Sequence, residues 1–241
     1  MTIQVKGLRK KYFNKEAVKG VDFTIEPQSI IGLLGRNGAG KSTVLNMIAR
    51  RIEKTSGDIT LDGVDLHKTP RAMHQVYLSS TENWFPKEYK FKDLLSIYKK
   101  TYPEFDSDFA EDLIKVFGVN VKERFSKAST GYQSIMKIIL ALCNPSEYIF
   151  MDEPVLGLDA NHRHIFNKKL LEAYARNPRT FVIATHLIEE VASILEKVIV
   201  IKDGVVTEEV MVEEVLGKGY VVSGATSLVQ EFVADKKVLE T

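Results

Sequence analysis

The sequence predicts an α/β fold: a mainly parallel sheet carrying helices on its faces, with an N-terminal antiparallel β subdomain and an inserted α-helical subdomain. Three features predict it. Apolar strands and helical stretches alternate from residue 148 to 201. A short apolar run at 29–34 passes through a glycine-rich turn into a helical pattern. Period-two alternation marks the opening residues up to Ile25.

Ile3 and Val5, then Val21, Phe23 and Ile25, alternate with polar residues and read as two half-buried antiparallel strands joined by a loop, Tyr12-Phe13-Asn14-Lys15. Ser29 to Leu34 is a buried strand ending in glycine, and Lys41 to Arg51 carries Val44, Leu45 and Ile48 at helical spacing. Ile59 to Leu66 predicts a hairpin around Asp62-Gly63, and Gln75 to Leu78 a further short strand. From Lys90 to Val121 the period changes: Leu94, Leu95, Ile97 and Tyr98, then Phe109, Leu113, Ile114, Val116 and Phe117, belong to helices. Ser134 to Leu142 is an apolar helix broken by Asn144-Pro145, and Tyr148 to Met151 a strand ending at Asp152-Glu153. His162 to Ala175 reads as helix, Thr180 to Thr185 as strand, Ile188 to Leu195 as helix and Lys197 to Ile201 as strand, the order of a parallel α/β core. Beyond Gly204 the pattern is weaker, with a strand expected at Tyr220 to Ser223 and a helix at Ser227 to Ala234.

Composition narrows the function. The chain has 241 residues, 44% hydrophobic and 27% charged, ordinary values for a folded protein with a sizeable core. Lys and Arg number 33 against 32 Asp and Glu, so the net charge of +1 offers no global field for nucleic acid. The single cysteine, Cys143, cannot form an internal disulfide, and the polar, basic start after Met1 lacks a signal-peptide apolar core; both point to a reducing, cytoplasmic setting. The longest apolar runs, Ile30 to Leu34 and Ile138 to Cys143, are far shorter than the roughly 20 residues of a membrane-spanning helix.

The strongest chemical signal is GRNGAGKST, Gly35 to Thr43, which has the P-loop spacing and lies between a strand and a helix. It predicts a P-loop NTPase core. Backbone N–H groups of Gly35, Asn37, Gly38, Ala39 and Gly40 and the helix N-terminus can cradle phosphate oxygens, with Thr43 beside them. Lys41 is expected on the β- and γ-phosphates and Ser42 on Mg²⁺, a hard cation that takes oxygen ligands. The second signal is the strand Tyr148 to Met151, which delivers two carboxylates at its C-terminal end, where ligands bind in open α/β sheets. Asp152 is then expected to hold Mg²⁺ through a water and Glu153 to polarise the water that attacks the γ-phosphate.

With these stations in order, the chain resembles the ATP-binding-cassette ATPases over nearly its whole length. Ala128-Ser129-Thr130-Gly131-Tyr132 falls where that family carries its LSGGQ signature, so Ser129 and the Gly131 backbone are expected to meet the γ-phosphate of nucleotide on the opposite subunit. Val155-Leu156-Gly157-Leu158-Asp159 resembles the D-loop, which places Asp159 at the subunit interface, and Thr185-His186 resembles the switch histidine. Tyr12 resembles the aromatic on which adenine stacks, with Phe13 a close rival. Two departures stand out: Ser80 occupies the position where many members carry a metal-binding glutamine, and Ala128, Thr130 and Tyr132 replace three signature residues. Such departures resemble the branch serving small bacterial exporters whose membrane subunits are separate chains.

The resemblance implies an ATPase domain over 1–217, with the helical subdomain at about 85–133, and a short C-terminal extension at 218–241. It implies ATP and Mg²⁺ as ligands, a homodimer or a heterodimer with another such ATPase closing around ATP, and an integral membrane permease as partner at the cytoplasmic face of the membrane. Trp84, Phe85, Tyr89 and Phe91 are expected as an exposed aromatic cluster facing that partner, in a stretch made basic by Lys87, Lys90, Lys92, Lys99 and Lys100. The competing function is a soluble ATPase of the same fold acting in protein or iron–sulfur cluster assembly. Nucleic-acid work fits less well, because such relatives carry long coiled coils or paired cassettes, and a small-molecule kinase would not require Ser129 or His186.

Overall fold

The computed structural model describes residues 1–216. Its strands are β1 (Ile3–Tyr12), β2 (Lys15–Ile25), β3 (Ile30–Leu34), β4 (Ser56–Leu61), β5 (Val64–Asp65), β6 (Val76–Ser79), β7 (Tyr148–Asp152), β8 (Thr180–Thr185), β9 (Lys197–Lys202) and β10 (Val205–Met211). The helices are α1 (Lys41–Ile48), α2 (Pro70–Met73), α3 (Phe91–Thr101), α4 (Ser107–Val116), α5 (Thr130–Leu142), α6 (Ala160–Arg176) and α7 (Val212–Leu216).

Two sheets form. β2-β1-β4-β5 is antiparallel throughout, and β10-β9-β3-β8-β7-β6 is parallel except for β10, which runs antiparallel to β9. Strand periodicity divides the second sheet between two cores. Tyr148 and Phe150 of β7, with Val182 and Ala184 of β8, face the antiparallel sheet and α1. Ile149, Met151, Phe181 and Ile183 face the opposite way, toward α5, α6 and the helices of the inserted segment. Apolar apart from Asp152, Thr180 and Thr185, β7 and β8 are buried along their whole length, as strands covered on both faces must be.

Three expectations need correction. The helix predicted at Ile188 to Leu195 is two 3₁₀ turns, Ile188–Glu190 and Ala192–Ile194. Val191, at φ −127°, breaks the helical backbone between the two turns, and it and Ile194 are both buried. The first helix stops at Ile48 rather than continuing to Arg51, where Arg50 takes a left-handed φ of 51°. The aromatic cluster is divided: Trp84 is 70% exposed, whereas Phe91 is fully buried and Phe85 packs edge-on against Phe125 with ring centroids 4.9 Å apart. Strand β10, unrecognised in the sequence, is a hairpin with β9 through Asp203-Gly204, both at positive φ as a tight two-residue turn requires. The strand and helix expected at 220–234 and the extension 218–241 lie outside the described residues. Among the described residues no helix is long and apolar enough to cross a membrane.

Candidate functional site

The Gly35–Thr43 loop leaves β3 and turns into α1, with Gly40 at φ 113° as the residue preceding the helix. That backbone suits glycine alone, and a Cβ there would stand 3.0 Å from the carbonyl oxygen of Ala17. Gly38 is also left-handed, Ala39 is buried, Asn37 is exposed and Thr43 is half-buried. Lys41 is almost wholly buried. Its ammonium donates to the carbonyls of Gly35 at 2.6 Å and Arg36 at 3.3 Å, and lies 3.5 Å from Glu153 Oε1.

The rim of the parallel sheet brings the remaining core residues to the same place. Ser42 Oγ donates to Asp152 Oδ1 at 3.1 Å. Burial pushes the Asp152 carboxyl above its usual range; the Ser42 hydrogen bond, Lys41 and the Thr81 side chain pull it back, while Glu153 adds to the rise. Glu153 follows at the strand end with φ 48°, a left-handed conformation that costs a non-glycine residue roughly 1–3 kcal/mol and recurs at functional sites. Thr185 Oγ donates to Glu153 Oε2 at 2.9 Å, and His186 Nδ1 lies 2.9 Å from Oε1. The carboxylate is thereby fixed from the neighbouring strand β8.

Ser129 and Gly131 belong to a second locus. Ser129 caps α5, its hydroxyl accepting from Tyr132 N–H at 3.3 Å, and it is exposed. Gly131 packs on the loop after β7, where Ser134 Oγ also donates to the Leu156 carbonyl at 3.0 Å. That loop ends at exposed Asp159, which caps α6: its carboxylate accepts from His162 N–H at 2.9 Å and lies 2.8 Å from the His162 ring. These hydrogen bonds from His162 hold the Asp159 carboxyl below its ordinary value. Tyr12 and Phe13 sit at the tip of the β1–β2 hairpin, Tyr12 under Lys10 at 4.9 Å and Phe13 98% exposed; neither packs in a core.

The departures have local structural counterparts. Ser80 is buried and its hydroxyl accepts from Glu82 N–H at 3.2 Å. The Tyr132 hydroxyl accepts from Asn120 N–H, tying the start of α5 to the turn after α4. Two residues at the site were not singled out in the sequence. Thr185, adjoining His186, was legible only as a strand end, and Lys137 is a lone cation in the apolar run of α5, which was the available signal. Burial lowers the Lys137 ammonium to about 8, with nearby Arg51 adding to the fall and Asp152 and Glu82 opposing it.

Ser42 and Asp152 suit Mg²⁺: a hydroxyl and a carboxyl 3.1 Å apart offer the oxygen donors that a hard cation takes.

The Gly35 and Ala39 amides are taken by the Thr185 and Arg36 carbonyls, and a glycine-rich loop entering a helix, a buried lysine and two carboxylates on adjacent positions of one strand end can bind a polyphosphate and direct a water at it. Comparison with known proteins agrees. The family model described as ABC transporter matches residues 18–156. The chain is 33% identical over 196 residues to the ABC transporter ATP-binding protein NatA of Bacillus subtilis, covering 78% of this chain and 79% of that protein. It is 29% identical over 212 residues to the ATP-binding protein YtrB of the same species, covering 88% and 73%. A solved structure described as the ATP-binding subunit of an ABC transporter shares the fold, with TM-score 0.77 and 21% identity over 89% of this chain and 92% of that one. The chain therefore belongs to the ABC transporter family, in which it is an ATP-binding subunit and an ATP hydrolase.

Proposed function

We propose that this subunit closes with a second copy, or with a related ATPase, around ATP and so drives a separate membrane subunit, in the direction of export. The observation that carries it is the convergence of Lys41, Ser42, Asp152, Glu153 and His186 on one rim, while the exposed cap Ser129 stands on a different helix. Each locus offers half of what a triphosphate needs. Two chains arranged head to tail would supply both halves, Lys41 from one and the Ser129–Gly131 helix end from the other.

In this scheme the P-loop amides and Lys41 bind the phosphates, the Gly35 and Arg36 carbonyls giving up the ammonium to phosphate oxygens. Tyr12 or Phe13 stacks on the base. Ser42 and Asp152 hold Mg²⁺, which when bound neutralises phosphate charge. Glu153 takes the proton of the attacking water, and Thr185 and His186 hold the Glu153 carboxylate in place. Asp159 lies at the interface. Loss of the γ-phosphate removes the charge both helix ends shared, and the pair opens. The export direction is supported by the departures at Ser80 and at 128–132, and the peripheral location by the role of the membrane subunit.

Fractionation tests the transport part. A tagged chain should be retained with membranes in its native cells and released when the adjacent permease subunit is deleted. Recovery in the soluble fraction with a cluster-assembly complex, whether or not the permease is present, would overturn it.

A further inference from the structure

Lys137 is the only charged residue of α5, and its ammonium lies among three successive backbone carbonyls. It donates to Ser80 O at 2.8 Å, Thr81 O at 2.9 Å and Glu82 O at 3.1 Å. An ammonium has three donor hydrogens and no acceptor, so all of its capacity is spent on this one segment. The segment is held from the other side too, because Arg51, beyond the end of α1, donates to the Leu78 carbonyl at 2.6 Å. Farther along, Phe85 packs on Phe125, which Lys137 also overlies at 6.0 Å.

The position of this grip matters. Ser79 pairs with Met151, so the chain leaves β6 beside the strand end that carries Asp152. At its other end α5 begins at Ser129, just over two turns before Lys137 on the same helix. A rigid helix thus connects the exposed cap to the 80–82 segment, and that segment leaves the sheet rim beside the strand end that carries the carboxylate.

We infer that Lys137 is a positioning residue for hydrolysis: its hold on the Ser80, Thr81 and Glu82 carbonyls makes the segment beside Asp152 move with the helix that Ser129 caps. The inference rests on the transport ATPase scheme above. The Ser80 hydroxyl is turned back to Glu82 N–H, and the link to α5 runs instead through the three backbone oxygens held by Lys137.

Trp84, the only tryptophan, lies two residues beyond Glu82 and is exposed, so its emission reports on this segment. The test compares the full-length wild type with Lys137→Met and Lys137→Arg. ATP hydrolysis is measured against ATP and Mg²⁺ concentration, and Trp84 emission on adding Mg²⁺ and ATP. Lys137→Met should lower kcat by about tenfold with KM for ATP within about threefold, raise the Mg²⁺ needed for half-maximal rate, and flatten the Trp84 response. Lys137→Arg, which keeps the donors, should recover most of each. A folded Lys137→Met with wild-type kcat, Mg²⁺ requirement and Trp84 response overturns the inference. So does an arginine variant as impaired as the methionine one. If Lys137→Met does not fold, Lys137→Gln takes its place: the same losses support the inference, and wild-type behaviour overturns it. A wild type that does not hydrolyse ATP would sink the ATPase scheme and this inference together, whereas an active wild type with an indifferent Lys137→Met sinks this inference alone.

Discussion

Gly131 and Gly157 touch backbone to backbone: a Cβ added to Gly131 would lie 2.3 Å from the Gly157 carbonyl oxygen, closer than any real contact. The helix that Ser129 caps and the loop that leads to Asp159 therefore move as one piece. Gly131→Ala must push them apart. Overpacking costs about 1–3 kcal/mol, partly offset by the roughly 1 kcal/mol that alanine gains over glycine in a helix. A lower urea midpoint together with reduced ATP turnover is expected, and an unaltered midpoint would show that the loop yields freely.

Glu153 is held by Thr185 and His186 through both of its oxygens. Glu153→Gln keeps the size of the group and removes its basicity. Turnover should fall by about 10²–10⁴-fold while ATP binding persists, and size-exclusion chromatography with ATP should show a trapped dimer. Full turnover by this variant rejects Glu153 as the base.

Lys41→Ala removes the cation that Gly35 and Arg36 now hold. The dissociation constant for ATP, read by calorimetry, should rise at least about tenfold, or 1.4 kcal/mol. An unchanged constant counts against phosphate binding by this loop.

Ser129 is exposed and caps α5, so Ser129→Arg is expected to cost about 0.5–2 kcal/mol of stability through the lost cap. ATP binding to a single chain should survive. ATP-dependent dimers should not, and their persistence would refute a site shared between two subunits.

Cys143 is buried, and burial pushes its thiol up. A raised acid stays protonated in the fold, so its contribution to stability is complete below the unfolded value of about 8.5 and is lost as pH rises through the folded value. At pH 8 a thiolate-directed reagent should label Cys143 only at the rate of unfolding, and rapid labelling of native protein would contradict its enclosure.

The parts of the site written locally were readable: the glycine spacing around Lys41 and the apolar strand ending in Asp152-Glu153. Each depends on residues a few positions apart. What the sequence concealed depends on distant pairs. Lys137 meets residues 80–82 only because α5 crosses the end of β6, and Thr185 gains its role from the register of β8 beside β7. Periodicity misled at 188–195, where the chain breaks at Val191 into two 3₁₀ turns that keep the same buried spacing as one helix. Strand β10 escaped because its side chains are mostly exposed and carry little alternation, although Asp203-Gly204 marked its turn.

The left-handed backbone at Glu153 sets sturdiness against catalysis. A glycine there would take that φ without strain, yet it would strip Thr185, His186 and Lys41 of the carboxylate they share. Relief of the backbone and loss of those contacts come together at this one position.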